Sequence, residues 1–151
     1  MENNSSFETF ELQLTNEAKD FLKETGKWAS FLGILGFIGL AFFVIIALTV
    51  LAVGGAMSSA MDSMGAFGGV GTTAIGIIYL LMALLYFFPV LYLYRFGSRI
   101  KNAFANNDTA MLTSAIENLK SHYKFVGILA IIMIAFYVLA IVFGVLGAFM
   151  S

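Results

Sequence analysis

The sequence predicts an all-α membrane protein with three transmembrane helices. An N-terminal amphipathic interfacial helix precedes them, and spans two and three extend into a cytoplasmic helical hairpin. Three observations carry that prediction. Hydrophobic residues make up 60% of the 151-residue chain and charged residues 11%, against about 25% charged in an ordinary soluble domain. So few charges cannot cover a water-facing surface of this size, so lipid must cover part of it. Three stretches, about 28–53, 73–94 and 125–150, contain no ionisable Asp, Glu, Lys, Arg or His, and each exceeds the ~20 apolar residues that cross a bilayer. Finally, all eight cations fall on one side of a three-span arrangement.

Residues 1–13 (MENNSSFETFELQ) are polar and acidic and read as a flexible tail. The rest, 14–151, reads as a single helical membrane domain. In 14–27 (LTNEAKDFLKETGK), Thr15 can cap a helix and Glu17 and Asp20 suit its first turn. Ala18, Phe21, Leu22 and Thr25 make one face, and Lys19, Lys23 and Lys27 another. That pattern predicts a helix lying at the interface with lysines toward lipid headgroups. Gly26 allows a bend, and Trp28 is an interfacial anchor.

The first span, 28–53, is far longer than the ~7–15-residue apolar core of a signal peptide and follows a polar stretch, so it reads as a retained anchor. Gly33, Gly36 and Gly39 mark it as a helix-packing surface. An outer loop, 54–72, holds six glycines. Met57, Met61 and Met64 lie there at helical spacing. Soft thioethers suit Cu(I), but adaptable apolar contacts explain the set without a metal.

The second span ends in YFFPVLYLYRF (86–96). Tyr92, Tyr94 and Arg95 form an interfacial anchor at its cytoplasmic end. Pro89 lacks an N–H for the carbonyl of Leu85, so it is expected to kink the helix against a packed neighbour. Tyr79 and Tyr86 are too deep for the belt and are expected to face protein. Phe96, Ile100 and Phe104 then continue a helical stripe out of the membrane. Asn106-Asn107-Asp108 is a turn signal, with Asp108 an N-cap. Leu112, Ile116, Leu119 and Tyr123 form the returning stripe. The stretch 95–124 is therefore expected to be a packed cytoplasmic hairpin. In the third span, Ala140, Gly144 and Ala148 repeat every four residues, a spacing that lets helices approach closely.

Short loops rich in Lys and Arg stay cytoplasmic. That rule puts the N-terminus and 95–124 inside, and loop 54–72 and Ser151 outside. The chemistry is sparse. With no cysteine there is no disulfide, thiolate nucleophile or cysteine metal site. A net charge of −1 offers no field for nucleic acid. Spans without ionisable groups argue against a proton relay or pump. His122, the sole histidine, has no evident base partner or orienting group and reads as exposed to solvent or headgroups. No catalytic residue, cofactor site or metal site is expected, and the protein is expected not to be an enzyme.

Three blocks, EAKDFLKETGKWASFLGILGFIG (17–39), IIYLLMALLYFFPVLYLYRF (77–96) and NDTAMLTSAIENLKSHYKFVGIL (107–129), taken in that order, resemble a bacterial, Bacteroidota-type family of small multi-spanning membrane proteins of unknown function. The resemblance covers about residues 15–150. It implies a multi-pass protein of the bacterial inner membrane and supplies no catalytic residue. The expected role is a structural or accessory membrane component, and the expected partners are the lipid bilayer and either a second copy or another membrane protein. The alternative is a subunit of an oligomeric channel or small-solute permease.

Overall fold

The computed structural model describes residues 14–63 and 71–150, and among them the only regular elements are three long helices. Helix α1 spans Asn16–Ser63, α2 Thr72–Asn106 and α3 Thr109–Met150. They contain 48, 35 and 42 residues, or roughly 72, 52 and 63 Å at ~1.5 Å per residue. All three exceed the ~30 Å of bilayer hydrocarbon, and each contains a stretch long and apolar enough to cross a membrane. Three helices of this length and composition are compatible with a membrane protein.

Local signals set the helix ends. The Ala18 amide donates to Thr15 Oγ1 at 3.2 Å, so Thr15 caps α1 as its sequence position predicts. Between α2 and α3, Asn107 adopts the left-handed conformation with φ 50°, which asparagine tolerates better than most residues. The Asp108 amide then returns to the Ala103 carbonyl at 2.9 Å. Asp108 Oδ1 accepts the Met111 amide at 3.0 Å and starts α3. Two residues thus end one helix and begin the next, which brings α2 and α3 antiparallel.

Helix α2 lies at the centre. Both α1 and α3 pack on it, and no Cα of α1 comes within 8 Å of one of α3 among the described residues. The core sits at the hairpin end, called the head below. Phe96 and Ile100 are fully buried there, with Ala29 of α1 and Ala115 of α3 beside them. Leu22, Leu93, Phe104, Leu112 and Leu119 pack around this centre.

The 14–27 segment does not form a separate interfacial helix. It is the first part of α1, continuous through Gly26 and Trp28. Gly26 is not a bend but the place where Ile100 of α2 meets α1. The head is therefore a three-helix unit rather than a two-helix hairpin. At its other end α1 runs on to Ser63, well past residue 53. The side chains of Met57, Met61 and Met64 lie outside the described residues, as does the 1–13 segment.

Candidate functional site

Two surfaces of α2 define the molecule. The first is its seam with α1, built from small residues. A Cβ added at Gly97 would lie 2.5 Å from the backbone N of Ser30 and 2.6 Å from the Gly26 carbonyl oxygen. Only a residue without a side chain lets the backbones come so close. Ser30 itself turns inward and donates to the Gly26 carbonyl at 2.9 Å, so its hydroxyl is satisfied inside the seam. Gly33 lies against the backbone of Tyr94, and Gly36 against Val90. Further out, Gly76 of α2 takes Leu51 of α1. Rings fill the wider intervals: Phe37 contacts Phe87 and Tyr94 at 6.0 and 5.8 Å between centroids, and Phe43 contacts Tyr79 at 6.0 Å.

The second surface faces α3 and is polar at the head. Arg99 Nη1 donates to Ser114 Oγ. Asn118, buried, donates from Nδ2 to the Ser114 carbonyl at 2.6 Å. One turn further, His122 Nδ1 lies 2.8 Å from the carbonyl oxygen of Pro89. A carbonyl can only accept, so Nδ1 carries the proton of this bond. Just beyond it the rings of Phe88 and Phe125 meet at 6.1 Å.

Past Phe125 the two helices part. From Ala130 to Leu146 every α3 residue is exposed. The divergence leaves an apolar cleft of about 480 Å³ lined by Ile78, Leu81, Met82, Leu84, Leu85, Phe88 and Phe125. A smaller recess of about 300 Å³ lies at the hairpin tip, between Leu14, Lys19, Phe104 and Leu112.

The structure sorts the residues singled out from sequence. Gly33 and Gly36 are in the α1–α2 seam, but nothing stands within 4 Å of a Cβ at Gly39. Three residues beyond Gly36, Gly39 has rotated off the contact stripe. Gly144 is likewise open and Ala140 exposed, so neither packs against another helix among the described residues. The side chain of Ala148 lies outside the described residues. Pro89 is buried inside α2 and its carbonyl takes the His122 bond. Trp28 is exposed, edge-on to Phe31 at 6.0 Å. Arg95 is exposed and Tyr92 half-buried, while Tyr94 packs on Gly33 and Phe37. Phe43 of α1 covers Tyr79, whereas Tyr86 is exposed, one position off the stripe of Ala83, Phe87 and Val90 that meets α1.

In the head, Phe96 and Ile100 are the centre, and Phe104, Leu112 and Leu119 are partly buried around it. Ile116 and Tyr123 are not: they are 43% and 66% exposed. The buried stripe of α3 passes one residue earlier, through Leu112, Ala115, Asn118 and His122. An alanine and an asparagine sit where a search for large apolar residues looks elsewhere. His122 is half-buried rather than free in solvent. Lys23, expected at headgroups, lies over the Phe104 ring at 5.5 Å while pairing with Asp20 at 3.3 Å.

A family model described as a family of unknown function (DUF5362) matches residues 57–145. That is more than half of the chain, and the protein belongs to this family. The matched region holds α2 and α3 up to Val145, with the Arg99–Ser114 and His122–Pro89 bonds and the cleft. Most of α1, including the 17–39 block, lies outside it. No curated protein and no solved structure matches the chain.

Proposed function

We propose that the protein is a non-enzymatic structural or accessory component of the bacterial inner membrane that associates through α3 with a second copy of itself or with another membrane protein. The observation that carries this reading is the exposure of α3 on every face from Ala130 to Leu146. Helix α1, equally apolar, is held to α2 by a seam of small residues, while the outer part of α3 has no such partner among the described residues. Ala140 and Gly144 give it a small-residue surface of the kind that helices in lipid use for close contact.

The proposed orientation puts the head in the cytoplasm. The cations of 19–27 and of 95–124 belong to the head end of the three helices, and short cation-rich segments remain on the cytoplasmic side. The polar bonds between α2 and α3 fit a scaffold: they fix the hairpin that presents α3.

Extraction in a mild detergent followed by mass determination tests the reading. A fixed homo-oligomer or one stoichiometric membrane partner is expected. A monodisperse monomer that brings no partner from native membranes contradicts it.

A further inference from the structure

The recess at the hairpin tip lies between the start of α1 and the α2–α3 turn. Leu14 and Lys19 form one wall, and Phe104, Asp108 and Leu112 belong to the other. In the proposed membrane placement, Phe104 stands ten residues beyond Tyr94, the end of the second span. That is about 15 Å along the helix, against a headgroup layer of roughly 5–8 Å. Lipid chains do not reach so far. Apolar surface left to water there favours a cover made of protein.

Residues 1–13 join the head at this recess. They lie outside the described residues, and the first described residue, Leu14, lines the recess itself. Phe10 is four residues before Leu14, so the chain holds it within about 14 Å. A segment tethered this closely has an effective concentration on the order of millimolar. Contacts too weak to retain a separate partner therefore suffice to hold it. The charges also match. Three of the nine acids, Glu2, Glu8 and Glu11, lie in 1–13, which has no Lys or Arg. Lys19 makes no ion pair among the described residues. Lys23, one turn further along α1, holds its ammonium over the Phe104 ring. The recess has one acid of its own, Asp108, but the Oδ1 of that side chain is engaged by the Met111 amide.

We infer that residues 7–13 fold back onto the hairpin tip. Phe10 fills the recess beside Leu14, Phe104 and Leu112, and the flanking Glu8 and Glu11 meet Lys19. The segment docks where α1 and the α2–α3 turn come together, so it clasps the three helices at the tip and shields Phe104 and Leu112 from water. This docking uses the head alone and is independent of association through α3.

Spin labels on Thr9→Cys and on Asn102→Cys, an exposed site, test it by electron–electron distance measurement on the full-length protein in nanodiscs. A narrow, short-distance component is expected. Phe10→Ser should lower the ratio of that component to the broad one by about tenfold or more. Lys19→Glu should lower it by about two- to fivefold, and adding Glu11→Lys to Lys19→Glu should restore it. A wild-type distribution as broad as that of Phe10→Ser, or a narrow component that Phe10→Ser and Lys19→Glu both leave unchanged, overturns the inference. So does the same short distance between singly labelled copies, which would put a second copy's segment in the recess. Quenching of a fluorophore at Asn102→Cys by brominated lipid chains would put lipid there and overturns it as well.

Discussion

His122 Nδ1 donates to the carbonyl oxygen of Pro89 across 2.8 Å, at the level where α3 begins to leave α2. On the head side the helices are tied by Arg99–Ser114 and by the core around Phe96. On the far side only the Phe88–Phe125 ring contact intervenes before the cleft opens. The bond thus sits at the fulcrum of the hairpin. His122→Ala is expected to cost about 0.6–2 kcal/mol, the range for interhelical hydrogen bonds in lipid. It should also broaden the α2–α3 separation. Spin labels at Ile78 and Val138, read by electron–electron distance measurement in nanodiscs, check this; an unchanged distribution means that the bond does not set the angle.

The α1–α2 seam makes a sharper contrast. At Gly97 two of the three atoms nearest an added Cβ, Ser30 N and the Gly26 carbonyl oxygen, belong to the backbone of α1 and cannot rotate away; the third is Ser30 Oγ. Gly97→Ala is expected to destabilise by about 1–3 kcal/mol through overpacking. Gly39→Ala meets nothing within 4 Å and should be neutral or gain up to ~1 kcal/mol of helix propensity. Reversible unfolding in bicelles by added SDS measures both. Equal effects would mean that the seam is misplaced.

The stripe of α3 in the head can be checked in the same assay. Ile100→Ala empties a fully buried site and should cost about 2–5 kcal/mol. Ile116→Ala and Tyr123→Ala remove exposed side chains, and changes within about 0.5 kcal/mol are expected. A large loss at Tyr123 would favour the stripe of large residues over the one through Ala115 and Asn118.

Asp108 Oδ1 accepts the Met111 amide at the start of α3. Asp108→Ala should cost about 0.5–2 kcal/mol, and Asp108→Asn should restore most of it. Amide exchange across 109–113 reports the fraying directly. Protection that survives in the alanine variant would assign the helix start to the turn alone.

The residues differ in how openly they announced these roles. The three spans were legible because lipid demands long runs without charge, and the runs at 28–53, 73–94 and 125–150 have none. The caps at Thr15 and Asp108 were legible because capping is local. The continuity of α1 was not. Gly26 followed by Trp28 reads as a break at an interface, and only the position of Ile100 explains the glycine as a point of close approach. The bonds of Arg99 to Ser114 and His122 to Pro89 join residues 15 and 33 apart in sequence. They depend on the hairpin register, which no local pattern encodes. Ala115 and Asn118 stayed hidden for a related reason: a stripe chosen by size passes over the small and polar residues that a close helix pair prefers.

The proposed association through α3 is tested most directly in native membranes. The chain has no cysteine, so single cysteines can be placed one at a time from Ala130 to Leu146 and oxidised in the membrane. Disulfide-linked dimers are expected with helical periodicity, strongest at Ala140 and Gly144 and weak on the opposite face; for a partner other than self, the same positions should instead give one heterologous photo-crosslinked species. Absence of any cross-linked species, or equal yield at every position, would contradict association through this helix.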